Sequence, residues 1–182
     1  MKLLADCRLY AFVDTAYLRG RDPVQVTQQL CAGGADLIQL RAKELAPVEV
    51  QAIARRMRPV TLDAGYRRVD TLRAPFPELR IGLSSHAPAQ AQRAIVAGAD
   101  YLAIGPVYAT GTKPSARPTA LEFVRWAAAN VRLPWFAIGG INLHTLDDVL
   151  AAGATRVCVV SAILDAADVA ATCREFRQRL PA

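Results

Sequence analysis

Apolar residues along this chain fall into short continuous runs, separated by stretches where they recur every three or four positions. The run RLYAFVD (8–14) predicts a strand. DPVQVTQQLCAGGAD (22–36) predicts a helix: Asp22 can cap it, Pro23 suits its first turn, and Gly33–Gly34 stop it. The alternation then repeats. DLIQLRAK (36–43) reads as a strand, PVEVQAIARRM (47–57) as a helix and PVTLDA (59–64) as a short strand. RIGLSSH (80–86) is a strand, PAQAQRAIVAGAD (88–100) a helix and YLAIGPV (101–107) a strand. LEFVRWAAANV (121–131) is a helix, PWFAIGGI (134–141) a strand, LHTLDDVLAAGA (143–154) a helix and RVCVVSAI (156–163) a strand. A last helix runs from Asp165 to Leu180.

Three segments share one signature: AGGADLIQL, AGADYLAIG and AAGATRVCVV. Each is a helix end with Ala-Gly-Ala followed directly by an apolar strand, the mark of a repeated βα unit. Continuous apolar strands joined by amphipathic helices imply a parallel sheet buried on both faces. A closed barrel and an open doubly wound sheet both satisfy that pattern. Polar residues follow at least five strands, and a barrel would bring those ends to one face. The expectation is therefore an α/β fold of the TIM-type (β/α) barrel class with parallel strands, formed by residues 1–182 as a single domain. Seven strands are counted. A barrel of about 250 residues spends roughly 30 on each βα unit, so this chain is short. The shortfall lies in residues 58–79, where the barrel is expected to be incomplete or modified.

With 182 residues, about half of them apolar, the chain can bury one sizeable core. No apolar stretch is long enough to cross a membrane, and the start lacks a secretory pattern. A cytoplasmic protein that binds no membrane is expected. Cys7, Cys31, Cys158 and Cys173 are widely spaced, which suits buried reduced thiols rather than a metal site. The net charge of +6 comes from scattered arginines without interleaved aromatics, so nucleic acid is not the expected partner. Small anionic ligands fit that charge.

The candidate chemistry sits at the strand ends. GGI (139–141) with VVSAI (159–163) offers Gly139, Gly140, Val160 and Ser161, whose backbone amides suit a phosphate. A tight turn beside a buried strand end would use the same residues. In QLRAK (39–43), Gln39, Arg41 and Lys43 alternate and would point one way if the strand is extended throughout. GPVYATGTKPSARP (105–118) adds Thr110, Thr112 and Lys113 on a loop hinged at Gly111, with Arg117 as a further cation. IGLSSHA (81–87) supplies Ser84, Ser85 and His86.

QLRAK, IGLSSH, GADYLAIGPVYATGTK, AIGGI and VVSAI occur in the order and spacing of the thiamine phosphate synthases, which the chain resembles over residues 8–57 and 80–176. The resemblance implies a βα barrel that joins a hydroxymethylpyrimidine diphosphate to a thiazole phosphate and releases pyrophosphate. By that resemblance Gln39, Arg41, Lys43, Ser84, Thr110, Thr112 and Lys113 hold the diphosphate, with Arg41, Ser84 and Lys113 as the catalytic candidates. Gly139, Gly140, Val160 and Ser161 hold the thiazole phosphate. It also implies Mg2+ bound by acidic residues after the third and fourth strands. Here Asp63 is the retained candidate, while a second register sets RRVD (67–70) there and places Arg67 at an acidic position. Two alternatives stay open: a thiazole tautomerase in which His86 is catalytic, and a non-catalytic binder of thiazole phosphate or thiamine phosphate. The expected partners are small phosphorylated substrates. An exposed parallel edge would also suit a homodimer.

Overall fold

The three Ala-Gly-Ala segments fold alike, and their geometry explains the repeat. In this computed structural model, which describes residues 4–63, 81–111 and 117–181, helices α1 (Pro23–Ala32), α3 (Pro88–Val96) and α5 (Leu146–Ala151) precede these segments. Gly34, Gly98 and Gly153 each take a positive φ, between +81° and +99°. The next residue then donates its amide back to the helix: Ala35 to Leu30, Ala99 to Ala94 and Ala154 to Val149. This is the left-handed helix stop that glycine adopts without steric cost.

In two of the repeats the following aspartate closes the unit. Asp36 Oδ2 accepts from the amides of Arg8 and Leu9 at 2.8 and 3.0 Å. Asp100 Oδ2 accepts from the Ile81 amide at 2.7 Å. Each carboxylate thus satisfies amides where the preceding strand begins, while its own backbone amide donates to Leu9 or Ile81.

The chain divides into two compact units, residues 1–67 with 159–182, and residues 68–158. In the first, strands β1 (Leu9–Asp14) and β2 (Leu37–Arg41) pair in parallel, with Asp14 opposite Arg41. Leu9, Ala11, Val13, Val26, Leu30 and Phe176 form its core. Helices α1, α2 (Pro47–Asp63), α6 (Ser161–Leu164) and α7 (Val169–Arg179) complete it. Asp22 caps α1 as expected, accepting from the Val24 amide. Asp168 caps α7 through the Ala171 amide, so that helix starts later than Asp165.

The second unit holds β3 (Gly82–Ser85), β4 (Tyr101–Ile104), β5 (Trp135–Ile138) and the first residues of β6 (Val157–Val159), parallel and neighbouring in that order. Helices α3, α4 (Ala120–Asn130) and α5 connect them. Leu102, Ile104, Phe136, Val124 and Val149 are fully buried there.

Two expectations are corrected. Residues 59–63 are not a strand: α2 continues through Pro59 to Asp63, leaving six strands among the described residues rather than seven. The reason is periodicity. Val50, Ile53, Met57 and Val60 recur at helical spacing, with Met57 buried and the other three half-buried, so one face outlasts the amide that proline removes. RVCVVSAI also ends as a strand at Val159, because Ser161 opens the short helix α6. Residues 64–79, the rest of the segment expected to be modified, lie outside the described residues.

Replacing Asp100 by Ala orphans the Ile81 amide. It should cost about 1–3 kcal/mol of stability, read as a lowered denaturation midpoint in urea with an unchanged slope.

Candidate functional site

In the first unit the polar residues of β2 are held by β1. Tyr10 donates its hydroxyl to Gln39 Oε1 at 2.6 Å, which turns the Gln39 amide nitrogen the other way. Arg41 Nη1 donates to Asp14 Oδ2 at 2.6 Å, and Thr15 Oγ1 donates to the Arg41 carbonyl. These pairs follow from register: residues 10, 12 and 14 share one strand face, as do 37, 39 and 41. Lys43 does not continue that alternation. The strand stops at Arg41, and Lys43 lies exposed in the turn beyond it. Val160 and Ser161 belong to the same unit. Val160 precedes α6 with no side-chain cap, and its carbonyl accepts from the Ile163 and Leu164 amides, so only the Ser161 and Ala162 amides at that helix start lie ahead of the helical bonding.

In the second unit a loop and a turn lock together after β4 and β5. Val107 donates to the Ile138 carbonyl and Tyr108 to the Gly139 carbonyl, at 2.9 and 3.0 Å. The returning end of the loop is pinned as well. Thr119 donates to the Pro106 carbonyl through its amide and its hydroxyl, and the Ala120 amide donates to Val107. The loop that opens at Gly105 therefore stands on two fixed feet, with Thr110 half-buried and Gly111 exposed. Thr112 and Lys113 lie outside the described residues.

Gly139 and Gly140 are required by that packing. Both have positive φ, +102° and +65°, and a Cβ on Gly140 would come within 2.5 Å of the Ala109 carbonyl oxygen. The Gly-Gly pair thus has a structural cause that stands without any ligand. Tyr108 packs against Gly140. Its hydroxyl is buried with no hydrogen-bond partner among the described residues, and desolvation, then the Asp148 carboxylate, raise its pKa.

At the end of β3, Ser84 is exposed and Ser85 is buried. The ring Nδ1 of His86 meets the Gly105 carbonyl, and its amide donates to Gln90 Oε1 at 2.8 Å. His86 also borders a groove of 620 Å³ within this unit, lined besides by Pro106, Arg117, Glu122, Phe123 and Trp126.

The Mg2+ candidate stands at a helix end. Asp63, placed by the sequence at a strand end, is the last residue of helix α2. Magnesium requires a near-octahedral shell of oxygens, and among the described residues no three His, Cys, Asp or Glu come together to hold a metal. Cys7, Cys158 and Cys173 are buried and Cys31 half-buried. Burial pushes the Cys173 thiol up to about 12 and Cys158 higher still, so both stay protonated. No helix among the described residues is long and apolar enough to cross a membrane.

Three residues that order the site escaped the sequence reading: Tyr10, Asp14 and Thr15. One signal was present, since Asp14 is the sole charge in the apolar run LYAFVD.

Comparison with known proteins gives a consistent picture. The family model for thiamine monophosphate synthase matches residues 67–163. A thiamine-phosphate synthase from Gloeobacter violaceus is 42% identical over 86% of this chain, which spans 54% of that relative's length. One from Acidothermus cellulolyticus is 42% identical over 98% of this chain and 97% of its own. That alignment runs over 207 positions against a chain of 182 residues, so at least 25 of them have no residue here. The deficit is close to one βα unit, roughly 30 residues. Among solved structures, the thiamine phosphate pyrophosphorylase from Pyrococcus furiosus superposes with a TM-score of 0.84 at 29% identity, covering 97% of this chain and 96% of that one. The fold is the TIM-type α/β class in a shortened form.

Gly140→Ala should lose about 2–4 kcal/mol of stability from overpacking and backbone strain. Thermal unfolding without any phosphate ligand will show that loss, because its cause is the 106–109 loop.

Proposed function

The chain belongs to the thiamine monophosphate synthase family, and on that premise we propose that it couples hydroxymethylpyrimidine diphosphate to thiazole phosphate with release of pyrophosphate. The observation that carries this reading is 42% identity to a thiamine-phosphate synthase over 98% of the chain. In the reaction, the bond between the pyrimidine methylene carbon and the diphosphate oxygen breaks. Pyrophosphate keeps the electron pair. The thiazole ring nitrogen then donates its lone pair to the methylene cation and the new carbon–nitrogen bond forms.

Negative charge grows on the departing oxygen as that bond breaks, so fixed donors aimed at the diphosphate stabilise the transition state more than the ground state. In the first unit, Arg41, Gln39 and Lys43 are the groups assigned to this task. The first two suit it because β1 holds them in place before any ligand arrives. In the second unit, Ser84 and Thr110 carry hydroxyls that suit an anion, and the family resemblance assigns them to the diphosphate together with Thr112 and Lys113. By the family resemblance the thiazole phosphate is assigned to backbone amides at Gly139, Gly140, Val160 and Ser161. Magnesium, which the family resemblance implies, enters no step here.

The test is an assay of thiamine phosphate formation from the two substrates, with and without magnesium. Turnover is expected, and Arg41→Gln should lower kcat/KM by about 100-fold or more with its fold intact by circular dichroism. Absence of product from the native chain with magnesium present would sink the reading.

A further inference from the structure

Asp14 is a carboxylate in an unusual position. It ends the apolar strand β1, is 1% exposed, and faces the Arg41 guanidinium at 2.6 Å. The Ala16 amide donates to its other oxygen at 3.1 Å, and the neighbouring Thr15 hydroxyl holds the Arg41 carbonyl. The Arg41 side chain is itself only 16% exposed. A guanidinium at that depth is costly without a counter-charge, and Asp14 supplies one when no ligand is present. A diphosphate arriving at Arg41 therefore meets a cation that already has an anion beside it.

We propose that Asp14 is a resident counter-ion that competes with the diphosphate for Arg41 and so sets how readily pyrophosphate leaves. The proposal rests on the placement of Arg41 at the diphosphate in the functional reading above. The reaction needs such a device. Cations that stabilise a leaving pyrophosphate also retain it, and turnover stalls if they retain it too well.

Two effects of Asp14 oppose each other. Holding the guanidinium in one orientation favours anion binding, while its negative charge disfavours it. An Asn at this position keeps one carbonyl oxygen that can accept from Arg41 Nη1 and gives up the bond from the Ala16 amide, so the hold on the guanidinium survives and the charge is lost. At an effective dielectric constant of about 20, a unit charge roughly 7 Å from an anion changes its affinity by more than about tenfold. Charge therefore outweighs orientation in Asp14→Asn, and the variant should bind the anion more tightly. A merely structural role predicts weaker binding.

The experiment is calorimetric titration of inorganic pyrophosphate into the full chain, its Asp14→Asn and Arg41→Gln variants, and the double variant. Asp14→Asn should bind pyrophosphate about fivefold or more tightly than the native chain, and the gain should vanish when Arg41 is Gln. Unchanged or weaker binding by Asp14→Asn, with pyrophosphate still bound by the native chain and lost in Arg41→Gln, would overturn the proposal and leave the functional reading standing. No binding by the native chain, or full binding by Arg41→Gln, would remove the assignment of Arg41 on which the proposal stands. If Asp14→Asn does not unfold cooperatively, Asp14→Ser is read by the same criteria.

Discussion

A parallel strand begins with amides and ends with carbonyls that its neighbour does not fully satisfy, and the fold of this chain depends on how those ends are met. At the starting ends, Asp36 and Asp100 reach back from the helix stop and accept the amides of Arg8, Leu9 and Ile81. Each aspartate can reach because the glycine two residues before it turns the chain left-handed. A βα unit is thereby closed by one short sequence, Gly-Ala-Asp, which serves as helix stop, turn and strand cap together. With the starting ends closed in this way, polar chemistry is left to the finishing ends.

At the finishing ends the two units solve the same problem differently. In the first, side chains meet side chains: Tyr10 with Gln39, and Asp14 with Arg41. In the second, backbone meets backbone, as residues 107–108 extend the pairing beyond Ile138 and Gly139. The first arrangement orients charged and amide donors. The second brings two glycines against a loop so closely that no side chain fits. Both are pre-organised without a ligand, which is what electrostatic stabilisation of a leaving group requires.

Among the described residues β2 pairs only with β1, and β3 only with β4. Their burial reflects this: Leu37, Ile38 and Leu40 are half-buried, and Leu83 is 37% exposed, although their apolar character suits a strand covered on both faces. Helix α2 shows the same effect, with Met57 its one buried side chain among residues 47–61. Its extension through Pro59 replaces what reads locally as a strand.

Most of the secondary structure and the class of fold are legible in local signals along the chain. Asp22, Pro23 and Pro88 mark helix starts, the three Ala-Gly-Ala segments mark stops, and the apolar runs after them mark strands; each is a local signal carried by neighbouring residues. The same signals place QLRAK, IGLSSH and AIGGI at strand ends, because motif order follows element order. Which of those polar residues are held, and by what, depends on contacts between segments far apart in the chain. Arg41 meets Asp14 across 27 positions and Gln39 meets Tyr10 across 29, and no local pattern encodes a register between two strands. Lys43 shares the spacing of Gln39 and Arg41 but not their partners, since pairing stops one residue after Leu40. For the same reason the short apolar run at 59–63 was ambiguous: its length suits a strand, and the buried face it shares with Met57 made it a helix.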